Sequence, residues 1–138
     1  MVSNGVLDKV KGWLHREPRT AVSRTILIVD GNASDRRATA ESVVQLGYEA
    51  LEAPSVADAI EQLEAHDPDC VLLSFDVPDA EGLDGLQRIR DLDAGLDVIM
   101  LARDWHDSRT AEAMRRGAVA YLAKPFSQND LRELLARH

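Results

Sequence analysis

From Thr25 onward, short continuous apolar runs alternate with segments of helical periodicity. Ile26-Leu27-Ile28-Val29 is a β-branched-rich run closed by Asp30-Gly31. Tyr48–Ala53 reads as a second strand, Cys70-Val71-Leu72-Leu73 as a third and Val98-Ile99-Met100-Leu101 as a fourth. Tyr121-Leu122-Ala123 is a short fifth, stopped by Pro125. Continuous rather than alternating apolarity predicts strands buried on both faces, hence a parallel sheet with helices on each side. The segments between them carry helical signals. Asn32 to Leu46 runs into Gly47, a left-handed C-terminal cap. Ser55 opens a second helix with a capping-box-like pattern, with Ile60 and Leu63 facing inward. Leu83, Leu86 and Ile89 mark a third. Asp107 or Ser108 caps a fourth that stops at Gly117. Ser127-Gln128-Asn129-Asp130 opens the last, with Leu131, Leu134 and Leu135 as its apolar face. Five strands alternating with five helices predict a doubly wound α/β sheet.

Before this pattern, Val2, Val6, Val10 and Leu14 recur every four residues beside Trp13, one narrow helical stripe. Residues 1–16 are therefore read as a short amphipathic helix, 17–24 as a linker after Pro18, and 25–138 as one domain. Charge follows the same division. The chain of 138 residues carries net charge −8, yet residues 1–24 hold five basic and two acidic residues, net +3, leaving −11 on the remainder. An acidic domain argues against nonspecific nucleic-acid binding. The basic helix with Trp13 has two readings, an anionic membrane surface or docking on its own domain or a partner helix; the narrow stripe favours docking. No apolar run approaches the roughly 20 residues of a membrane span, and no secretion signal is legible at the N-terminus. The single cysteine, Cys70, allows no internal disulfide and lies in an apolar run where a buried inert thiol is expected. The expectation is a cytoplasmic protein.

In doubly wound sheets, sites form outside the carboxyl ends of the strands. Here these ends carry Asp30-Gly31, Ser74, Ala102 and Lys124-Pro125. With Gly47-Tyr48, the run Pro68 to Leu73, Pro78 with Gly82-Leu83, Gly117-Ala118, and Tyr121 through Phe126 in order, residues 25–138 resemble a response-regulator receiver domain of the chemotaxis-regulator type. The resemblance implies a flavodoxin-like fold with strand order 2-1-3-4-5. It also implies five chemical positions: an acidic pair after the first strand for magnesium, an aspartate ending the third that accepts phosphate from a histidine kinase, a hydroxyl ending the fourth, and a lysine after the fifth. Phosphoryl transfer is mostly positioning and charge stabilisation, so it needs a carboxylate nucleophile, a hard cation and a fixed positive charge.

The sequence keeps Asp30 and Lys124 but has Gly31 in place of the second acid, Ser74 in place of the phosphoacceptor and Ala102 in place of the hydroxyl. A neutral serine forms no acyl phosphate, glycine supplies no side-chain oxygen, and alanine binds no phosphoryl oxygen. The expectation is an atypical receiver with a degenerate phosphorylation pocket, no catalytic or metal residues and no cofactor. Within it, Lys124 pairs with Asp30 as a structural unit. Asp76, two residues past Ser74, is read as a solvated loop carboxylate rather than a displaced acceptor. Tyr121 matches the family's switch aromatic; with only Ala102 beside it, an inward ring is expected. Trp105 is either an interface anchor or a plug over the depleted pocket. His15, His66, His106 and His138 are scattered and predict no metal site.

Without a phosphoryl switch, and with no output domain after the fifth helix, the resemblance implies a phosphorylation-independent signalling adaptor in a bacterial two-component-type pathway, not an enzyme. Its contact surface would be the fourth helix, fifth strand and fifth helix, through Trp105, Arg109, Arg116, Tyr121 and Phe126 to a signalling protein partner. The alternative is a cyclic-dinucleotide sensor, read from Arg88-Ile89-Arg90-Asp91 and Arg103-Asp104, since arginine suits phosphate and stacks on guanine. Neither the partner nor the oligomeric state is legible.

Overall fold

The computed structural model describes residues 24–138. The predicted N-terminal helix and residues 17–23 of the linker lie outside the described residues. The elements run β1 (Thr25–Val29), α1 (Ala33–Gln45), β2 (Glu49–Ala53), α2 (Val56–Ala65), β3 (Cys70–Ser74), the two-residue strands β4 (Asp76–Val77) and β5 (Ala80–Glu81), α3 (Gly82–Leu92), β6 (Asp97–Ala102), α4 (Thr110–Arg115), β7 (Ala120–Ala123) and α5 (Gln128–Arg137). The main sheet is five-stranded and parallel in the order β2-β1-β3-β6-β7. This is the doubly wound order expected, once β4 and β5 are set apart as a small antiparallel hairpin of their own. The hairpin was not legible, because its Asp76-Val77-Pro78-Asp79 run reads as a loop.

The strand runs explain the layers. Successive side chains leave opposite faces, so Leu27, Val29, Val71, Leu73, Val98 and Met100 pack in one cluster with Leu86 and Ile89 of α3 and Ala113 of α4. Ile26, Ile28, Cys70, Leu72, Ile99 and Leu101 pack in the other with Val43 of α1 and Leu131 and Leu135 of α5. Each large aliphatic side chain so buried contributes roughly 2 kcal/mol. Cys70 is buried as expected, and burial pushes its thiol pKa up to about 12, so it stays protonated.

Caps position the loops above the sheet. Asn32 Oδ1 accepts the Asp35 N–H at 2.9 Å and starts α1 just after Asp30. Gly47, at φ 99°, turns the chain out of α1. Ser55 caps α2, and the Asp79 carboxylate in the β4–β5 turn accepts the Val56 and Ala57 N–H groups at 2.9 Å each. Those backbone bonds hold the Asp79 carboxyl below its ordinary range and pin the hairpin to α2. Ser127 and Asp130 form a capping box at α5. The Lys124–Pro125 peptide bond that precedes it is cis.

One predicted cap is corrected. α4 begins at Thr110 with no side-chain cap bond, rather than after Asp107 or Ser108. The Asp107 carboxylate is engaged elsewhere, as described below. Among the described residues, no helix is long and apolar enough to cross a membrane.

Candidate functional site

Strand order reverses between β1 and β3, and the carboxyl ends there bring Asp30, Ser74 and Lys124 together. Asp30 is fully buried. Its Oδ1 accepts the Asn32 N–H at 3.0 Å and its Oδ2 accepts Lys124 Nζ at 2.7 Å. Lys124 also donates to Asp35 Oδ2 at 3.1 Å and to Ser74 Oγ at 3.5 Å, so each ammonium hydrogen has an oxygen. Burial alone pulls the Lys124 pKa down, but the hydrogen bonds and negative charges of Asp30 and Asp35 outweigh it and hold the ammonium above its usual range. The Asp30–Lys124 pair expected from the resemblance is thus present, and Asp35 joins it. Sequence reasoning missed Asp35; the signal was its place three residues after the Asn32 cap, in the first turn of a helix that starts beside Asp30.

Gly31, Ser74 and Ala102, the positions beside the pair, supply no carboxylate for a metal or an acyl phosphate. Ser74 is fully buried and its Oγ accepts the Asp76 N–H at 3.1 Å. A Cβ on Gly31 would stand 2.9 Å from Pro78 Cδ and 3.1 Å from Asp76 O, so a side chain there requires the hairpin to move. Ala102 is fully buried in the apolar cluster that holds Phe75 and Ala113. Magnesium demands six oxygens in near-octahedral array. Asp30 has both oxygens committed, and the Asp76 carboxylate faces Arg103 and Arg109 at 3.7 Å each. No group of three or more His, Cys, Asp or Glu is arranged to hold a metal among the described residues. The residues present do not fit that ion.

A second charged unit, in the loop before α4, was not foreseen. Arg109 donates from Nε and Nη2 to the two oxygens of Asp107 at 2.8 Å each and lies over the Phe75 ring, 4.5 Å from its centroid. Asp107 also accepts the Arg103 and Arg109 backbone N–H groups at 3.1 and 3.2 Å, which folds the loop before α4 into a turn instead of capping the helix. The Arg109 hydrogen bonds, with those from the backbone, lower the Asp107 pKa to about 2, against the cost of burial. A depressed carboxylate pKa stabilises the fold above the unfolded value near 3.9 and loses that contribution as pH falls toward 2. Asp107→Asn is therefore expected to cost about 2 kcal/mol at pH 7. In urea melts repeated across pH, its deficit against wild type should shrink below pH 4 and vanish only below pH 2.

Tyr121 requires a correction. Its ring lies outward at 36 % exposure, not inward over Ala102. Tyr121 is on β7, the sheet's edge strand, and Trp105 meets it edge-to-face with ring centroids 6.1 Å apart. The ring keeps its aromatic contact on the partly exposed side, and Ala102 is fully buried in its own apolar cluster. Trp105 is 66 % exposed and does not line the cavity beside Lys124. Arg116 and Arg115 both bond Glu112 along α4, and Phe126 packs partly buried against the α1–α5 side of the core. Asp76 is solvent-exposed in the hairpin as expected, with Arg103 and Arg109 beside it. Arg88 and Arg90 lie on α3, with Arg90 against Gly117, and neither lines the cavity that Arg103 borders.

A doubly wound sheet with an Asp–Lys pair across its switch point and a hairpin tied to the neighbouring helix defines a receiver-type signalling domain. The chain belongs to the response regulator receiver domain family, whose sequence profile matches residues 26–136. It is 30 % identical over 115 residues to the chemotaxis protein CheY of Bacillus subtilis, covering 83 % of this chain and 96 % of that protein. It is 34 % identical to the phosphate regulon transcriptional regulatory protein PhoB of Pseudomonas aeruginosa, matching 84 % of this chain but only 50 % of that longer protein. The fold is similar to a CheY-like receiver domain protein from Methanospirillum hungatei at TM-score 0.76 and 26 % identity, covering 83 % of this chain and 91 % of that one. The flavodoxin-like architecture and a place in two-component signalling follow.

Proposed function

We propose that this receiver domain works without phosphorylation, as a signalling adaptor that binds a protein partner. The observation that carries the reading is the state of the sheet edge. Asp30 and Lys124 satisfy each other at 2.7 Å, and Ser74, Gly31 and Ala102 supply neither a nucleophilic carboxylate nor the remaining oxygens of a divalent site. The pair holds the β1 and β7 ends in one arrangement by an internal charge balance, where a phosphorylatable receiver would change that balance.

An adaptor must be recognised by its surface. Trp105 and Tyr121 form an exposed aromatic pair, with Met114 of α4 also exposed at 41 %. Aromatic side chains anchor interfaces out of proportion to their number. Arg116 and Phe126 would extend this face, whereas Arg109 would act from behind it by holding the loop through Asp107. The cyclic-dinucleotide reading gains nothing, since Arg88 and Arg90 do not line the cavity that Arg103 borders.

The test is affinity capture of the pathway's kinase or output protein on the full chain, with and without acetyl phosphate and magnesium. Capture is expected to be indifferent to the phosphodonor and to fall at least about tenfold with Trp105→Ala. Capture that requires the phosphodonor would refute phosphorylation independence; capture unaffected by Trp105→Ala would refute the surface.

A further inference from the structure

Beside the Asp30–Lys124 pair lies a cavity of about 460 Å³, within the range of small-ligand sites. One wall is a single face of α1. Asp35, Thr39 and Ser42 recur at i, i+4 and i+7 and so line up toward it. Pro125 and Phe126 of the β7–α5 connection, and Arg103 just past β6, line it as well.

Thr39 is the telling residue. It is only 4 % exposed, and among the described residues its hydroxyl has no hydrogen-bond partner. A buried hydroxyl without a partner costs stability, so such groups in a cavity wall call for a ligand or water. The charges narrow the choice. Lys124 has all three donors committed within the chain. Arg103 is 68 % exposed and held only loosely, with Asp76 at 3.7 Å, leaving its fork of donors available. Asp35 gives one oxygen to Lys124 and is otherwise about half exposed. Two cations and two carboxylates therefore balance around the cavity. A phosphate would meet Asp35 and Asp76, and a metal ion would meet Arg103 and Lys124. A small zwitterion meets neither objection.

We propose that this cavity binds a free α-amino acid with an apolar side chain. Its carboxylate would be received by Arg103, its ammonium by Asp35 and Thr39, and its side chain by Pro125 and Phe126. The inference goes beyond the adaptor reading and does not depend on it: it concerns α1 and the β7–α5 connection, not the aromatic face.

The experiment is isothermal titration calorimetry of the full chain with L-leucine and L-phenylalanine, alongside N-acetyl-L-phenylalanine and inorganic phosphate. Saturable binding of at least one amino acid is expected, with Kd below about 1 mM. N-acetylation, Thr39→Val and Arg103→Gln should each weaken it about tenfold or more, and phosphate should not bind. Thr39→Val removes an unpartnered polar group, so its ligand-free unfolding midpoint should not fall; this also shows that the variant folds. The proposal is overturned if neither amino acid binds at about 10 mM, if the N-acetyl compound or phosphate binds as well, if both variants bind like wild type, or if Thr39→Val lowers the ligand-free midpoint.

Discussion

Lys124→Met is expected to destabilise the domain by about 3 kcal/mol or more, read as a shift of the urea midpoint at unchanged slope. The Asp30 side chain has no exposed surface, and the Lys124 ammonium at 2.7 Å is its only cationic partner among the described residues. Truncating the lysine strands a carboxylate where water does not reach, which costs more than the pair contributes net. Pairing the change with Asp30→Asn is expected to recover at least half of the loss, because the amide keeps a hydrogen bond to the Asn32 N–H without a buried charge. The pH dependence has a definite sign. A lysine whose folded pKa is raised stabilises the fold fully below its unfolded value near 10.4 and loses that contribution as pH rises through the folded value. Wild type should therefore show no contribution to pH dependence from Lys124 between pH 6 and 9, with its loss confined to more alkaline solution. A Lys124→Met variant as stable as wild type would show that the pair is incidental.

Gly82→Ala is expected to cost about 3 kcal/mol, at the upper end for one added methyl group. A Cβ on Gly82 would stand 2.5 Å from Phe75 Cα and 2.9 Å from Phe75 O. Those are backbone atoms at the end of β3 and cannot swing aside, so either α3 or the Ser74–Asp76 segment must shift. Gly95→Ala serves as the control. Its Cβ would meet only Asp93 Oδ1 at 3.6 Å, and its effect should stay within about 0.5 kcal/mol. Thermal or urea unfolding of the two variants side by side separates close approach from the general effect of replacing glycine.

The parts of the fold legible in advance were those written in local chemistry. Ile26–Val29, Cys70–Leu73 and Val98–Leu101 are apolar on both alternating sets, which only a strand buried on two faces requires. Asn32, Ser55, Ser127 and Gly47 mark helix ends because their side chains or φ values serve the backbone directly. At the site, Asp30, Ser74 and Lys124 fell where strand ends put them.

What stayed illegible depends on partners distant in sequence or on competition between bonds. Asp35 reaches Lys124 across 89 positions of chain. Asp107 precedes a helix as a cap would, but the Arg109 guanidinium and two backbone N–H groups of its own loop outcompete that role. Tyr121 was expected inward because Ala102 is small. The ring instead takes the contact that Trp105 offers outside, while Ala102 is buried in its own apolar cluster. Thr39 reads as an ordinary helical residue until the cavity beside it is seen.

The most direct test of the central claim is intact-mass analysis of the full chain after incubation with acetyl phosphate and magnesium, followed by peptide mapping. An unmodified mass is expected, with Ser74, Asp76 and Asp30 all recovered without adduct. A mass increase of one phosphoryl group, mapped to an aspartate in this site and dependent on magnesium, would contradict it.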